Sequence, residues 1–200
     1  AFSCAWDENN AAWCWGEGGK GQLGNGLTSN ESVPVAVVSG SLSGVVDMAA
    51  GSSHICALDM SRASWCWGDG RNGRLGNGSV VDQSSPVSVD GSLGSGLLQL
   101  TSGDSHSCGV KPNGEAWCWG KGSLGRLGNN GFGDQSSPVK VVDDSMGAVI
   151  GIGSGSSASH TCAWTQDREG WCWGSGDNGR LGNGLTNNSS VPVMMALPPL

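Results

Sequence analysis

Trp65-Cys66-Trp67-Gly68, followed by Gly73-Arg74-Leu75-Gly76-Asn77-Gly78 and then by Pro86-Val87, decides the fold because the chain contains it four times over. The tetrapeptide recurs at Trp13 to Gly16, Trp117 to Gly120 and Trp171 to Gly174, at steps of 52, 52 and 54 residues. The glycine-rich stretch returns as Gly21-Gln22-Leu23-Gly24-Asn25-Gly26, as Gly125 to Gly131 with one extra residue, and as Gly179 to Gly184. A Pro-Val pair stands 18 residues after each tetrapeptide glycine, at Pro34, Pro86, Pro138 and Pro192. Spacing this constant requires a fixed backbone geometry in each unit. The chain therefore reads as one repeat domain over 1-200, with approximate units 1-50, 51-102, 103-154 and 155-200.

Within a unit the period is two, the mark of strands. In His54-Ile55-Cys56-Ala57-Leu58, His54 and Cys56 face one way while Ile55 and Ala57 face the other. An antiparallel hairpin that sets Cys56 opposite Cys66 places Ala57 against Trp65 and Ile55 against Trp67, sending both tryptophans into a core. The hairpin turn then falls at Met60 to Arg62, and in the third unit at Pro112-Asn113-Gly114, whose residues suit a turn. The glycine-rich stretch reads as a tight loop needing positive φ, and Pro-Val-x-Val as an edge strand with proline at its start.

Composition agrees. Among 200 residues there are 36 Gly and 7 Pro, too many for long helices, and ten Trp, too many for a disordered chain. The net charge of −7 with only ten Lys and Arg offers no basic footprint for phosphates, so nucleic acid is not an expected partner. No apolar run approaches the roughly 18 residues that span a bilayer. The chain opens at Ala1 without Met or an apolar leader, which reads as a processed chain or a segment of a longer one.

The eight cysteines fall into Cys4/Cys14, Cys56/Cys66, Cys108/Cys118 and Cys162/Cys172, each pair ten positions apart. One bridge per unit is the simplest of the 105 connectivities that eight cysteines allow. Zinc is the competing reading, but no Cys-x2-4-Cys knuckle occurs. A bridge over about ten residues is worth somewhat under roughly 3 kcal/mol on the chain-entropy model, and it persists in oxidising compartments. An extracellular or cell-surface location is expected. Glycan sequons at Asn30, Asn77, Asn187 and Asn188 agree with that placement, with at most one of the overlapping Asn187 and Asn188 occupied.

With Trp67-Gly68, Gly73 to Gly78, Pro86-Val87 and Gly51-Ser52-Ser53-His54 lined up in one unit, the sequence resembles the regulator of chromosome condensation repeat family over essentially its whole length. The resemblance implies an all-β β-propeller in which each repeat builds a four-stranded blade, seven in the familiar members. Periodicity alone leaves propeller and solenoid both open. The guanine-nucleotide-exchange members add a β-wedge and a basic arm, neither visible here, so exchange activity is not expected. Light sensing, as in a plant ultraviolet-B receptor of similar fold, is not expected either, because eight of the ten indoles belong to the repeated tetrapeptide.

Three histidines, His54, His106 and His160, share one position two residues before the first cysteine of their units, which suggests an imidazole satisfying backbone groups between units. Arg74, Arg126 and Arg180, with Gln22 in the first unit, read as surface turn residues bonding local carbonyls. The Ser- and Gly-rich run from Gly151 to Ser159 reads as the two-residue insertion that makes the last step 54, not as a nucleophile elbow. The acids Asp143-Asp144 read as a solvated turn. No catalytic constellation, metal or cofactor is expected. Partners are sought in the variable loops, Leu27 to Ser32, Ser79 to Ser84, Phe132 to Ser136 and Leu185 to Ser189, and in Gly40 to Asp47, Asp90 to Leu98 and Asp143 to Gly153. The expected function is a non-enzymatic extracellular scaffold for protein–protein interaction, or a structural subunit joined to other copies of itself into an assembly or filament. The alternative is a closed propeller that binds or inhibits one protein partner through those loops.

Overall fold

The computed structural model of the chain describes residues 1–38, 40, 42, 44–93, 96–142 and 145–196. Its strands form four antiparallel sheets, one for each repeat. The first blade has β1 (Phe2–Trp6), β2 (Ala12–Gly16) and β3 (Glu31–Ala36); the second has β4 (Val45–Ala50), β5 (His54–Asp59), β6 (Ser64–Gly68) and β7 (Gln83–Ser88). The third has β8 (Gln99–Ser102), β9 (His106–Val110), β10 (Ala116–Gly120) and β11 (Gln135–Lys140), and the fourth β12 (Val149–Gly153), β13 (His160–Thr165), β14 (Gly170–Gly174) and β15 (Ser189–Met194). Strands follow chain order across each sheet. Blades 2 to 4 are four-stranded as expected, whereas the first blade counts three strands among the described residues.

The hairpin register is the one the alternation requires, with Cys56 opposite Cys66, Ala57 opposite Trp65 and Ile55 opposite Trp67. Each hairpin carries its own disulfide, Cys4–Cys14, Cys56–Cys66, Cys108–Cys118 and Cys162–Cys172. The first strands of neighbouring blades lie side by side. The Ile152 N–H donates to Gln99 Oε1 at 3.0 Å and the Ser154 N–H to Thr101 Oγ1 at 2.7 Å, joining β8 to β12. The blades thus stand around a common axis with their faces stacked.

Stacking explains a blade that is apolar on both sides. The cysteine face of one blade meets the tryptophan face of the next. Trp67, Trp119 and Trp173 are fully buried, and each lies on a glycine of the preceding blade's loop. A Cβ on Gly24, Gly76 or Gly128 would stand 2.6, 2.7 or 2.9 Å from the facing indole, and all three residues hold φ near +67°. Glycine is required there twice over, by the backbone and by the ring.

Two expectations need correction. The first tryptophan of the tetrapeptide does not uniformly enter the core: Trp13 is exposed and Trp65 and Trp117 are half-buried, with only Trp171 fully inside. In every unit an acid at the hairpin end, Asp7, Asp59, Glu115 or Glu169, accepts the indole N–H of Trp13, Trp65, Trp117 or Trp171, so the polar end of the ring has its partner whether the ring is exposed or buried. The Pro-Val strand is the outer edge as expected, but its proline stands fourth rather than first. Pro86 sits where the register between β6 and β7 breaks, between Cys66 and Gly68, so its missing N–H costs the ladder nothing. The repeat also places a 3-10 turn ahead of the glycine loop in blades 2 to 4, with Asn72, Leu124 and Asn178 at positive φ.

Replacing Gly76 with alanine puts a side chain into both constraints at once. We expect Gly76→Ala to lower stability by about 2–5 kcal/mol, combining left-handed strain with overpacking against Trp119. Chemical denaturation would show this as a lower midpoint, and Gly91→Ala, a site with open space around it, should change little.

Candidate functional site

Antiparallel strands put the loops of each blade at two ends. The first-to-second and third-to-fourth strand loops share one rim, tied together by backbone bonds such as Asp69 N–H to Ser53 O and Lys121 N–H to Ser105 O. The repeated acids Asp7, Asp59, Glu115 and Glu169 and the described fourth-to-first strand connections lie at the other end, while the repeated histidines and arginines and four of the variable segments, 27–32, 79–84, 132–136 and 185–189, lie at this rim.

The histidines stand beneath it, at the blade junctions. His54 and His106 are fully buried, and their Nε2 atoms meet Ser107 Oγ at 2.9 Å and Thr161 Oγ1 at 2.7 Å in the following blade. They join units, as expected, but through side-chain hydroxyls and not backbone groups. Their Nδ1 atoms are left without a hydrogen-bond partner. Burial, reinforced by Arg74 beside His54 and Arg126 beside His106, drives both imidazoles down to about 3. His160 is lowered by its burial and by Arg180, but it is only half-buried.

The arginines depart from the surface expectation. Their Nε atoms do bond local carbonyls, Arg74 to Arg71, Arg126 to Ser123 and Arg180 to Asp177. Yet Arg74 and Arg126 are only 4% and 3% exposed, because the next blade covers them, while Arg180 is open. Asp69 gathers Arg74 at 3.3 Å and Arg71 at 2.6 Å. Burial by itself raises the Asp69 carboxyl, but the hydrogen bonds from the Arg71 side chain and N–H, with the charge of Arg74, outweigh it and bring the group to about 2. Arg126 has Asp104 at 3.8 Å instead, since Lys121 occupies the position of Asp69 in its blade.

Two of the sequon asparagines belong to the loop scaffold. Asn30 Oδ1 accepts the Gly18 N–H and Asn188 Oδ1 the Gly176 N–H, each across 12 residues. Asp82 and Asp134 do the same for Gly70 and Gly122. The Gly–Asx spacing is present in all four units and was the available signal for this bracket. Asn77 Oδ1 accepts the Ser79 N–H in a local turn, and Asn187 is exposed. The insertion of the fourth unit falls in the loop before His160, as its sequence suggested, and Asp143-Asp144 lie outside the described residues. Among the described residues, no three His, Cys, Asp or Glu side chains converge as a metal site would require.

Outward from the bracket, the rim turns apolar. Leu27, Val80, Val81, Phe132 and Leu185, all in the third-to-fourth strand loops, are each more than half exposed, Phe132 at 63%. Beside them a cleft of about 450 Å³ opens between blades 2 and 3, lined by Arg71, Asn72, Val80, Asp134 and Ser136. These loops are four of the seven variable segments in which partners are sought, and their exposure makes them available for contact.

Stacked antiparallel blades of this kind, with a loop-bearing rim, define a β-propeller segment. The repeat model described as "Regulator of chromosome condensation (RCC1) repeat" matches residues 9–58, 64–110, 113–164 and 171–199, and the chain belongs to that family. The E3 ubiquitin-protein ligase HERC2 of Mus musculus is 34% identical over 189 residues, 92% of this chain but 4% of the ligase. Among solved structures, human WBSCR16 superposes with a TM-score of 0.86 at 23% identity, covering 100% of this chain and 50% of that one. Prp20p of Saccharomyces cerevisiae, whose structure was described with its binding properties to Gsp1p and histones, gives 0.78 at 23% identity, over 92% of this chain and 47% of that one. The chain thus spans a small fraction of the ligase and about half of each solved propeller.

The buried histidines give a defined acid response. An unfolded imidazole titrates near 6.5, so between that value and about 3 the unfolded chain takes up protons that the folded chain refuses. Stability is therefore full above pH 6.5 and declines as the pH falls through this window, by up to about 1.4 kcal/mol per pH unit for each histidine. Asp69 contributes lower, its share being lost between about 4 and 2. Denaturant midpoints measured from pH 7.5 to 4 should fall, and the decline should be shallower in His106→Gln.

Proposed function

We propose that this chain is a non-enzymatic protein-interaction scaffold that works in an extracellular or cell-surface setting, with the apolar rim as its binding face. One observation carries the reading: the repeated residues are consumed in packing, while the third-to-fourth strand loop of every blade presents an exposed apolar side chain that differs from unit to unit, all on one rim. Leu27, Val80, Val81, Phe132 and Leu185 have the character of anchors that a protein partner buries. Arg71, fixed on Asp69 beside the cleft, adds an oriented cation. The comparison with Prp20p supports a protein partner, since that propeller was characterised for binding to Gsp1p and histones. A net charge of −7 weighs against nucleic acid.

Four hairpin disulfides support the oxidising compartment. In a eukaryotic source the exposed Asn30 and one of Asn187 and Asn188 are the sequons we assign first, because the loop bracket uses only the Oδ1 of Asn30 and Asn188 and leaves the Nδ2 that a glycan takes. Nonreducing peptide mapping of protein from its native source should recover the four within-hairpin bridges. Free thiols throughout would remove the extracellular placement.

The binding face is tested by substitution. Replacing Leu27, Val80, Phe132 and Leu185 with serine should leave the fold intact and weaken binding to any partner purified with the native chain by about tenfold or more. Met60→Ser, an equally exposed apolar change in a hairpin turn on the opposite rim, should leave binding unchanged. Equal loss from both sets would reject the rim.

A further inference from the structure

Asparagine stands directly before glycine seven times in the chain, at Asn25, Asn72, Asn77, Asn113, Asn130, Asn178 and Asn183. This dipeptide carries its own electrophile and nucleophile. With no side chain on the glycine to block the approach, the glycine backbone nitrogen can reach the asparagine Cγ. The reaction needs a glycine N–H free to give up its proton and an asparagine side chain free to turn toward it. Hydrogen bonds at either group hold the pair apart.

The fold applies that restraint to six of the seven. Gly26 and Gly78 donate their N–H across a blade junction, to Ser84 O and Ser136 O at 2.8 and 2.9 Å, while Gly73, Gly114 and Gly179 donate to carbonyls of their own turns. The Oδ1 atoms of Asn25, Asn77, Asn113 and Asn183 each accept the N–H two residues on, at 3.1 to 3.2 Å. Asn72 is held by Asp134 through Nδ2 and by Arg74 through Oδ1. Asn130 is held on neither count. It occupies the place of Gly26 and Gly78, at φ +60°, a conformation asparagine tolerates, and its own N–H makes the cross-junction bond, to Ser190 O at 2.8 Å. The glycine thereby stands one position further on. Gly131 N–H has no hydrogen bond among the described residues, and Asn129 Oδ1, which would accept it as Asn77 accepts Ser79, is left without a partner. The Asn130 side chain is exposed and makes no hydrogen bond among the described residues.

We propose that Asn130 is a site of spontaneous covalent modification, losing its amide nitrogen to become aspartate and isoaspartate. The Gly131 nitrogen gives its proton to solvent and bonds to Asn130 Cγ. The Cγ–Nδ2 bond then breaks, Nδ2 takes up a proton and leaves as ammonia, and a five-membered succinimide remains. Water adds at one of the two ring carbonyls and reopens the ring, so one water is consumed and one ammonia released, with no oxidant or reductant. The product adds one negative charge to the rim, two residues before Phe132. In the isoaspartate form the backbone also gains a methylene beside the junction bond to Ser190 O. Conversion is read by mass and needs no partner, so it fails or succeeds apart from the rim's role in binding.

Ageing the folded chain in heavy-oxygen water near neutral pH, followed by peptide mapping by mass, tests this beside the same chain reduced and unfolded in urea. Unfolded, all seven asparagines should convert at similar rates. Folded, Asn130 should convert about tenfold or more faster than Asn25, Asn72, Asn77 or Asn113, each of which must first break at least two hydrogen bonds. Asn178 and Asn183, each held by one bond, should fall in between. Asn130→Gly restores the residue of the first two units and should bring the peptide over 127–140 down to the rate at Asn77. Conversion at Asn130 as slow as at Asn77 in the folded chain overturns the proposal. So does equal conversion at all seven sites, or fast conversion that persists at Asn129 in the Asn130→Gly variant.

Discussion

A four-stranded blade cannot hide its own core, because both of its faces carry apolar residues. Each face is buried only by another blade, so the stability of any one repeat is lodged in its neighbours. The decisive contact is the indole of Trp67, Trp119 or Trp173 on a bare glycine backbone one repeat earlier. That contact sets how closely the blades approach. The other junction features, including the histidine–hydroxyl bonds and the covered arginines, exist only at that separation. Burial of Arg74 and Arg126 and exposure of Arg180 show the dependence directly, since the three occupy one position and differ in whether a blade lies over them.

How much of this can be read from the chain alone follows from where the determinants lie. The hairpin register, the disulfide pairs and the positive-φ loops are local, fixed by alternation, by ten-residue spacing and by glycine, and the structure has them where the repeat places them. What spacing along one unit could not give is what sits across a junction. Arg74 looks like an ordinary loop arginine until the following blade covers it, and the second nitrogen of His54 finds its hydroxyl 53 residues away. The acid partners of Trp13 and Trp65 are obscured in a different way. Their acids, Asp7 and Asp59, come from the hairpin turn six residues earlier, and in the later units the same role passes to a glutamate only two residues before the tryptophan. A motif search keyed to identical residues misses a function conserved by geometry and served by different side chains.

The rim divides labour between constant and variable atoms. Backbone brackets and the Asp69 ion pairs hold the loops in a fixed frame, and the apolar tips project beyond it. A loop tip can therefore change from Leu27 to Val80 to Phe132 without disturbing the strands that carry it. This arrangement lets a repeat fold diversify what it touches while keeping the contacts that make it fold.

The bracket itself has a chemical consequence. Its acceptor is a carboxylate oxygen in Asp82 and Asp134 and an amide oxygen in Asn30 and Asn188, and either serves the glycine N–H equally. Asp82-Gln83-Ser84 and Asp134-Gln135-Ser136 each stand one exchange of oxygen for nitrogen away from a glycan acceptor sequence. In a chain that passes through a glycosylating pathway, sugar can thus be offered or withheld blade by blade around the rim, through a change that leaves the loop's own hydrogen bond in place. The fold carries a latent means of masking its surface in quarters.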